Sequence, residues 1–130
     1  MVVMKRYPIL LSFLIGAFLL VGADGCSSDP NVEGAKLDLR NQDYDRAIQN
    51  LETALEKDPA NSEALELKGR VLSEKAFAIM DQAEHIDLIH QMVEAFTAAK
   101  NIDPLLDETV TNSMRFAYAN EFTRGIQAFN

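Results

Sequence analysis

The chain reads as an all-α protein, a stack of antiparallel helical hairpins, and three observations predict it. Apolar residues recur at three- and four-residue spacing through most of the 130 residues. Two of the four prolines stand in the pairs Asp58-Pro59 and Asp103-Pro104, and each pair closes an apolar stripe. β-branched residues never cluster in the alternating pattern that a strand needs.

The elements run in order along the chain. Ser27 to Asn31 is a short polar tether containing a proline, and a small helix is expected from about Val32 to Arg40. Asn41, Gln42 and Asp43 form a turn able to cap a second helix. Ala47, Ile48, Leu51, Ala54 and Leu55 then build one apolar stripe that ends at Asp58-Pro59. Asn61 or Ser62 caps the third helix, with Glu63 in its electropositive first turn. Leu65, Gly69, Leu72, Ala76, Ile79, Met80 and Ala83 carry that face onward to a break expected near Glu84 to Ile86. Ile89, Met92, Val93, Phe96 and Ala99 make a further stripe, closed at Asp103-Pro104. A final pair is expected, with Leu106, Val110, Ser113, Met114 and Ala117 on one helix and Phe122, Ile126 and Phe129 on a short last one.

The amino-terminal segment has a separate meaning. Lys5 and Arg6 precede an uncharged run from Ile9 to Val21. This is a basic region before an apolar one, too short for a membrane span of about 20 residues. The run leads into Ala23-Asp24-Gly25-Cys26, and Cys26 is the only cysteine, so no internal disulfide is available. The placement resembles a bacterial lipobox, with Gly25 as the small residue before the cut. That resemblance implies residues 1–25 as a lipoprotein signal peptide and residues 26–31 as a lipidated cysteine and its tether. The alternatives are a plain secretory signal cleaved at Val21-Gly22-Ala23, leaving Cys26 a free thiol, and an uncleaved anchor.

Twelve basic against twenty acidic residues give a net charge of −8, and loss of Lys5, Arg6 and Asp24 would make the remainder more acidic still. Nucleic-acid phosphates demand clustered Lys and Arg, so no nucleic-acid partner is expected. Nothing polybasic draws the chain to anionic lipid, and membrane attachment would rest on acyl chains.

Candidate chemistry is sparse. His85 and His90 are five residues apart and point about 140° away from each other on a helix, so they share no metal. Asp81 lies one turn from His85 and completes only a two-ligand set; the plainer reading is a solvated histidine near a helix break. Met80, Met92 and Met114 read as core filler. Glu63, Glu66, Glu74 and Glu84 fall on exposed helix faces, and there is no phosphate loop or nucleophile motif. No enzyme activity, metal or cofactor is therefore expected.

An internal repeat points toward binding. Ile48, Leu51, Ala54, Asp58 and Pro59 superpose on Val93, Phe96, Ala99, Asp103 and Pro104. The chain here resembles the tetratricopeptide repeat family. Asp43-Tyr44-Asp45-Arg46-Ala47-Ile48 and Ala54-Leu55-Glu56-Lys57-Asp58-Pro59 look like that family's second helix and closing corner. Ala64-Leu65 with Gly69 looks like the next first helix, and Glu121 to Ile126 like the start of a third second helix. The resemblance implies a right-handed stack of about two and a half repeats over residues 32–130. Pro59 and Pro104 are 45 residues apart, against a family period of about 34, so the second hairpin should be elongated around Phe77 to Ile86. Asp38 stands where the family packs an apolar residue. The weak cap at Phe129-Asn130 leads to the expectation of a truncated third repeat, or of a partner at that end.

The family's first helices line a concave groove. Carried over by position, that groove would comprise Val32, Lys36 and Arg40, then Glu63, Glu66 and Arg70, then Val110, Met114 and Tyr118. These imply a protein or peptide partner. The leading expectation is an extracytoplasmic adaptor for another envelope protein, lipid-anchored through Cys26, with Ser27 pointing to the outer membrane and its periplasmic face. The alternatives are an N-terminal cap of a longer solenoid, or a small-ligand-binding lipoprotein with a closed apolar pocket near Phe77, Met92 and Phe96.

Overall fold

The computed structural model describes residues 28–79 and 81–128. The proposed signal segment, Cys26, Met80 and Phe129 lie outside the described residues. Five α-helices account for nearly all of the described residues: α1 (Pro30–Arg40), α2 (Tyr44–Lys57), α3 (Ser62–Ala78), α4 (Gln82–Ile102) and α5 (Asp107–Ala128). A single 3₁₀ turn, Pro104–Leu106, leads into α5. Among the described residues there is no strand, and no helix is long and apolar enough to cross a membrane.

The first four helices each start at an acidic or amide cap. Asp29, Asp43, Asn61 and Asp81 accept from the backbone N–H groups of Asn31, Arg46, Ala64 and Glu84, at 2.7, 3.3, 2.9 and 2.8 Å. These bonds satisfy amides that have no partner within the helix. Pro30 therefore begins α1 instead of ending the tether: at the first helical position its missing N–H costs nothing.

Helix α1 ends in a left-handed cap. Gln42 has φ of 60°, and the Asp43 and Gln42 amides donate back to the Asp38 and Leu39 carbonyls at 2.9 and 3.0 Å. In this cap an apolar contact usually joins the positions held here by Asp38 and Asp43. The acidic pair is served instead by Arg46, whose Nε lies 3.9 Å from Asp38 and 4.0 Å from Asp43. Asp38 is buried, and Asn50 Nδ2 donates to it at 2.8 Å, so the departure from an apolar residue is compensated inside the hairpin.

Two expected boundaries are corrected. The break after α3 falls between Ala78 and Gln82, not at Glu84 to Ile86. Asp81 with Glu84 three residues later forms a helix-start signature, and it outweighs the apolar spacing that runs across it. The expected final pair of helices is a single helix, α5. Between Ala117 and Phe122 the sequence holds neither proline nor a turn triplet, so nothing stops the helix. Phe122 and Ile126 are consequently exposed residues on α5, not the core face of another helix.

The helices lengthen along the chain, with 11 residues in α1, 14 in α2, 17 in α3 and 21 in α4. Packing is sequential: α1 against α2, α2 against α3, α3 against α4, and α5 across both α3 and α4, with α1 also touching α3. One core cluster gathers Val32, Leu39, Leu51, Leu67 and Val71 with four alanines. The next gathers Leu72, Leu88, Met92, Phe96 and Val110 with Ala76 and Ala117, and Ile48 packs against both. At the centre Phe96, fully buried, packs directly against α3 at Gly69. A β-carbon there would come within 2.6 Å of the ring.

Gly69→Ala should therefore lower stability by about 1–3 kcal/mol, because neither the ring nor the helix has room to withdraw. Urea unfolding reads this as a lower midpoint. An unchanged midpoint would mean that α3 and α4 do not approach so closely.

Candidate functional site

The nine groove residues that the family resemblance implies do not form one surface. Val32 and Val110 are buried in the two core clusters, at 0% and 1% exposure, and are corrected to core residues. Each faces the neighbouring helix, since α1 and α5 turn their apolar sides inward. Met114 is half-buried against the second cluster. Tyr118 is exposed but lies two residues from Phe116, some 200° around α5.

The charged members do meet. Lys36 Nζ sits 2.7 Å from both Glu33 and Glu63, linking α1 to α3, and Arg40 Nε donates to the Lys36 carbonyl at 3.3 Å. Its hydrogen bonds to Glu33 and Glu63 raise the Lys36 pKa, and the Lys36 bond holds the Glu33 carboxyl below its ordinary range. Further along α3, Glu66 is largely enclosed, with Arg70 Nε at 4.0 Å. Burial pushes the Glu66 carboxyl up, and the Arg70 charge opposes this only in part. Lys36, Glu63, Glu66 and Arg70 thus make a self-neutralised ionic strip between α1 and α3.

Beyond Arg70 this strip opens into a groove between α3 and α5. Three adjoining hollows of about 290, 380 and 260 Å³ share their walls. Ser73, Glu74 and Phe116 border the first two, and Phe77 and Asn120 border the second and third. The far end is lined by Ile79, Thr123, Arg124 and Gln127. Phe77 and Phe116 are 64% and 67% exposed, large apolar surfaces facing solvent beside amide and hydroxyl side chains. That combination of apolar walls and convergent donors and acceptors suits a bound segment of chain.

Sequence reasoning missed this groove because Phe77 and Phe116 fall off the apolar stripes. It also placed Phe77 with Met92 and Phe96. Those two are fully buried in packed core, so the three do not enclose the closed pocket of the small-ligand alternative.

The second missed feature lies behind the groove. His85 is buried, not solvated, at 5% exposure. Its Nε2 is 2.6 Å from Glu121 Oε2, and its Nδ1 is 2.8 Å from the Ala76 carbonyl and 2.9 Å from Arg124 Nη1. The side chain joins the end of α3, the start of α4 and the last turns of α5. His90 is exposed and stands apart. Among the described residues no group of three or more His, Cys, Asp or Glu side chains is arranged to hold a metal.

No family model, no curated protein and no solved structure matches the chain.

The pH dependence of Glu66 has a definite sign. Its folded pKa is raised, so the folded state binds the proton more tightly than the unfolded chain does. This contribution to stability is present below the unfolded carboxyl range and is lost as pH rises through the folded value. Glu66→Gln should accordingly melt at a higher temperature than the parent protein at neutral pH, with the difference shrinking under acid conditions. A variant that melts lower at neutral pH would show the Arg70 pair to outweigh the burial.

Proposed function

We propose that the protein is a membrane-anchored extracytoplasmic adaptor of the tetratricopeptide type. In this reading its α3–α5 groove holds a segment of another envelope protein, and Cys26 carries the lipid. The observation that carries the binding role is the open groove with exposed Phe77 and Phe116 on opposite helices. Support for a hairpin stack comes from the order of packing, in which α3 touches both helices of the hairpin before it as well as α5, the helix that would open the next. Support for export and lipid attachment comes from the basic-then-apolar leader and the single cysteine after it.

A chain segment bound in an apolar slot draws most of its affinity from a few aromatic anchors. Pull-downs from detergent-solubilised envelope should recover a partner with the parent chain and lose it with Phe77→Ser together with Phe116→Ser. Both positions are exposed, so the variant should keep its helical content and unfolding midpoint. A partner retained at full yield would exclude the groove as the binding surface. Fatty-acid labelling should be abolished by Cys26→Ser, with the protein moving into the soluble periplasm. Label in neither protein would leave a secreted or signal-anchored adaptor.

A second reading is favoured by one observation. Tyr118 and Phe122 are exposed one turn apart on the flank of α5 away from Phe116, where a further helix would cover them. In this reading the chain is the N-terminal cap of a longer helical stack. Serine at both positions would then leave envelope capture intact while disrupting attachment of the next hairpin.

A further inference from the structure

The contacts of His85 are mutually exclusive in a single protonation state. A carboxylate only accepts, so the 2.6 Å contact with Glu121 requires the proton on Nε2. Nδ1 then faces a group that only donates, Arg124 Nη1 at 2.9 Å, and one that only accepts, the Ala76 carbonyl at 2.8 Å. A neutral ring bonds Arg124 and turns a lone pair toward Ala76, whose oxygen Arg124 also approaches at 3.4 Å. A protonated ring bonds Ala76 and Glu121 together, and then places one cation against another.

The other charged groups around the ring do not remove this conflict. Lys75, at the end of α3, is engaged by Asp45 at 2.8 Å and by Glu84 at 3.4 Å. Asp81 is occupied in capping α4. No ion pair joins Arg124 to a carboxylate among the described residues, and its side chain borders the end hollow of the α3–α5 groove.

We propose that protonation of His85 exchanges its Nδ1 partner from Arg124 to the Ala76 carbonyl and frees the Arg124 guanidinium into the end of the α3–α5 groove. The swap requires no movement of α5, because Glu121 keeps its bond to His85 in both states and pins that helix throughout. Its consequence for binding rests on the groove reading: a segment carrying a carboxylate would gain a partner beside Phe77 as pH falls. The exchange itself does not depend on that reading.

The test is a pH titration of the full chain labelled with ¹⁵N, following the ring nitrogens of His85 and the guanidinium of Arg124. At the alkaline end of the titration, Nδ1 should read as unprotonated and Nε2 as protonated, with nuclear Overhauser contacts between the ring and Arg124. On acidification, Nδ1 should gain its proton. The Arg124 signals should then move toward those of the exposed Arg115, with the same midpoint and loss of the Arg124 contacts. His90→Gln should change none of this, and His85→Gln should abolish the response of Arg124. A proton on Nδ1 throughout the titration, or an Arg124 signal that does not follow His85, would overturn the proposal. The wild-type readout decides the matter even if His85→Gln does not fold. Retention of envelope capture in the Phe77 and Phe116 variant, with an intact His85 exchange, would fail the partner reading alone.

Discussion

The close approach of α4 to α3 at Gly69 is the constraint on which the other packing depends. Phe96 occupies the space a side chain would need, and its ring closes the long hairpin while filling the second core cluster. Burying a ring of this size contributes about 1.5–3 kcal/mol, but only while the helix beneath it is bare backbone. With α3 and α4 fixed at this distance, Val110 and Ala117 of α5 have a surface to cover, and the hairpin of α1 and α2 packs against the other flank of α3. Small residues serve the same purpose elsewhere: Ala35, Ala47, Ala54 and Ala64 are all fully buried where helices meet in the first cluster.

Polar groups in the interior are few and each has partners. Asp38 and His85 are the two buried polar side chains among the described residues, and each lies where helices or their connections converge. Asp38 ties the end of α1 to α2 through Asn50, and His85 ties α3, α4 and α5 through Ala76, Glu121 and Arg124. A buried polar group left unpaired costs about 1–3 kcal/mol, so each of these contacts specifies its arrangement more than it adds net stability. The groove arises from the same geometry. α5 lies across the hairpin with its inner face committed to the core, which leaves Phe116 and Asn120 to form a wall opposite Phe77.

Much of the fold was legible in the sequence, because helix periodicity and Asp-Pro corners are local signals. The stripe of Ala47, Leu51 and Ala54 is buried as expected, and so are Gly69, Leu72, Met92, Phe96 and Ala99. The boundaries at Asp58-Pro59 and Asp103-Pro104 stand where the prolines put them. The features that were not legible depend on distant partners or on competing local signals. Ile79 and Ala83 continue an apolar spacing that Asp81 and Glu84 interrupt, and only the cap decides between them. The buried site of His85 is set by residues 36 and 39 positions further along the chain, which no local pattern reveals. The carried-over groove placed Val32 and Val110 on the surface because family positions were transferred without the rotation of each helix about its axis. For Val110 the transfer also conflicts with the apolar stripe it shares with Leu106, Met114 and Ala117, and the stripe is the reading that the structure bears out.

Helix α5 runs unbroken across the end of the long hairpin and is held there by His85, and the groove depends on both. The most direct measurement is the pattern of nuclear Overhauser contacts in the isotopically labelled chain. An unbroken, anchored α5 predicts sequential helical amide contacts continuing from Ala117 through Thr123, together with contacts between the His85 ring and the side chain of Glu121. A helix break near Asn120 with no contact between His85 and Glu121 would contradict it. In that case the last residues would form a separate element and the groove between Phe77 and Phe116 would not exist as described.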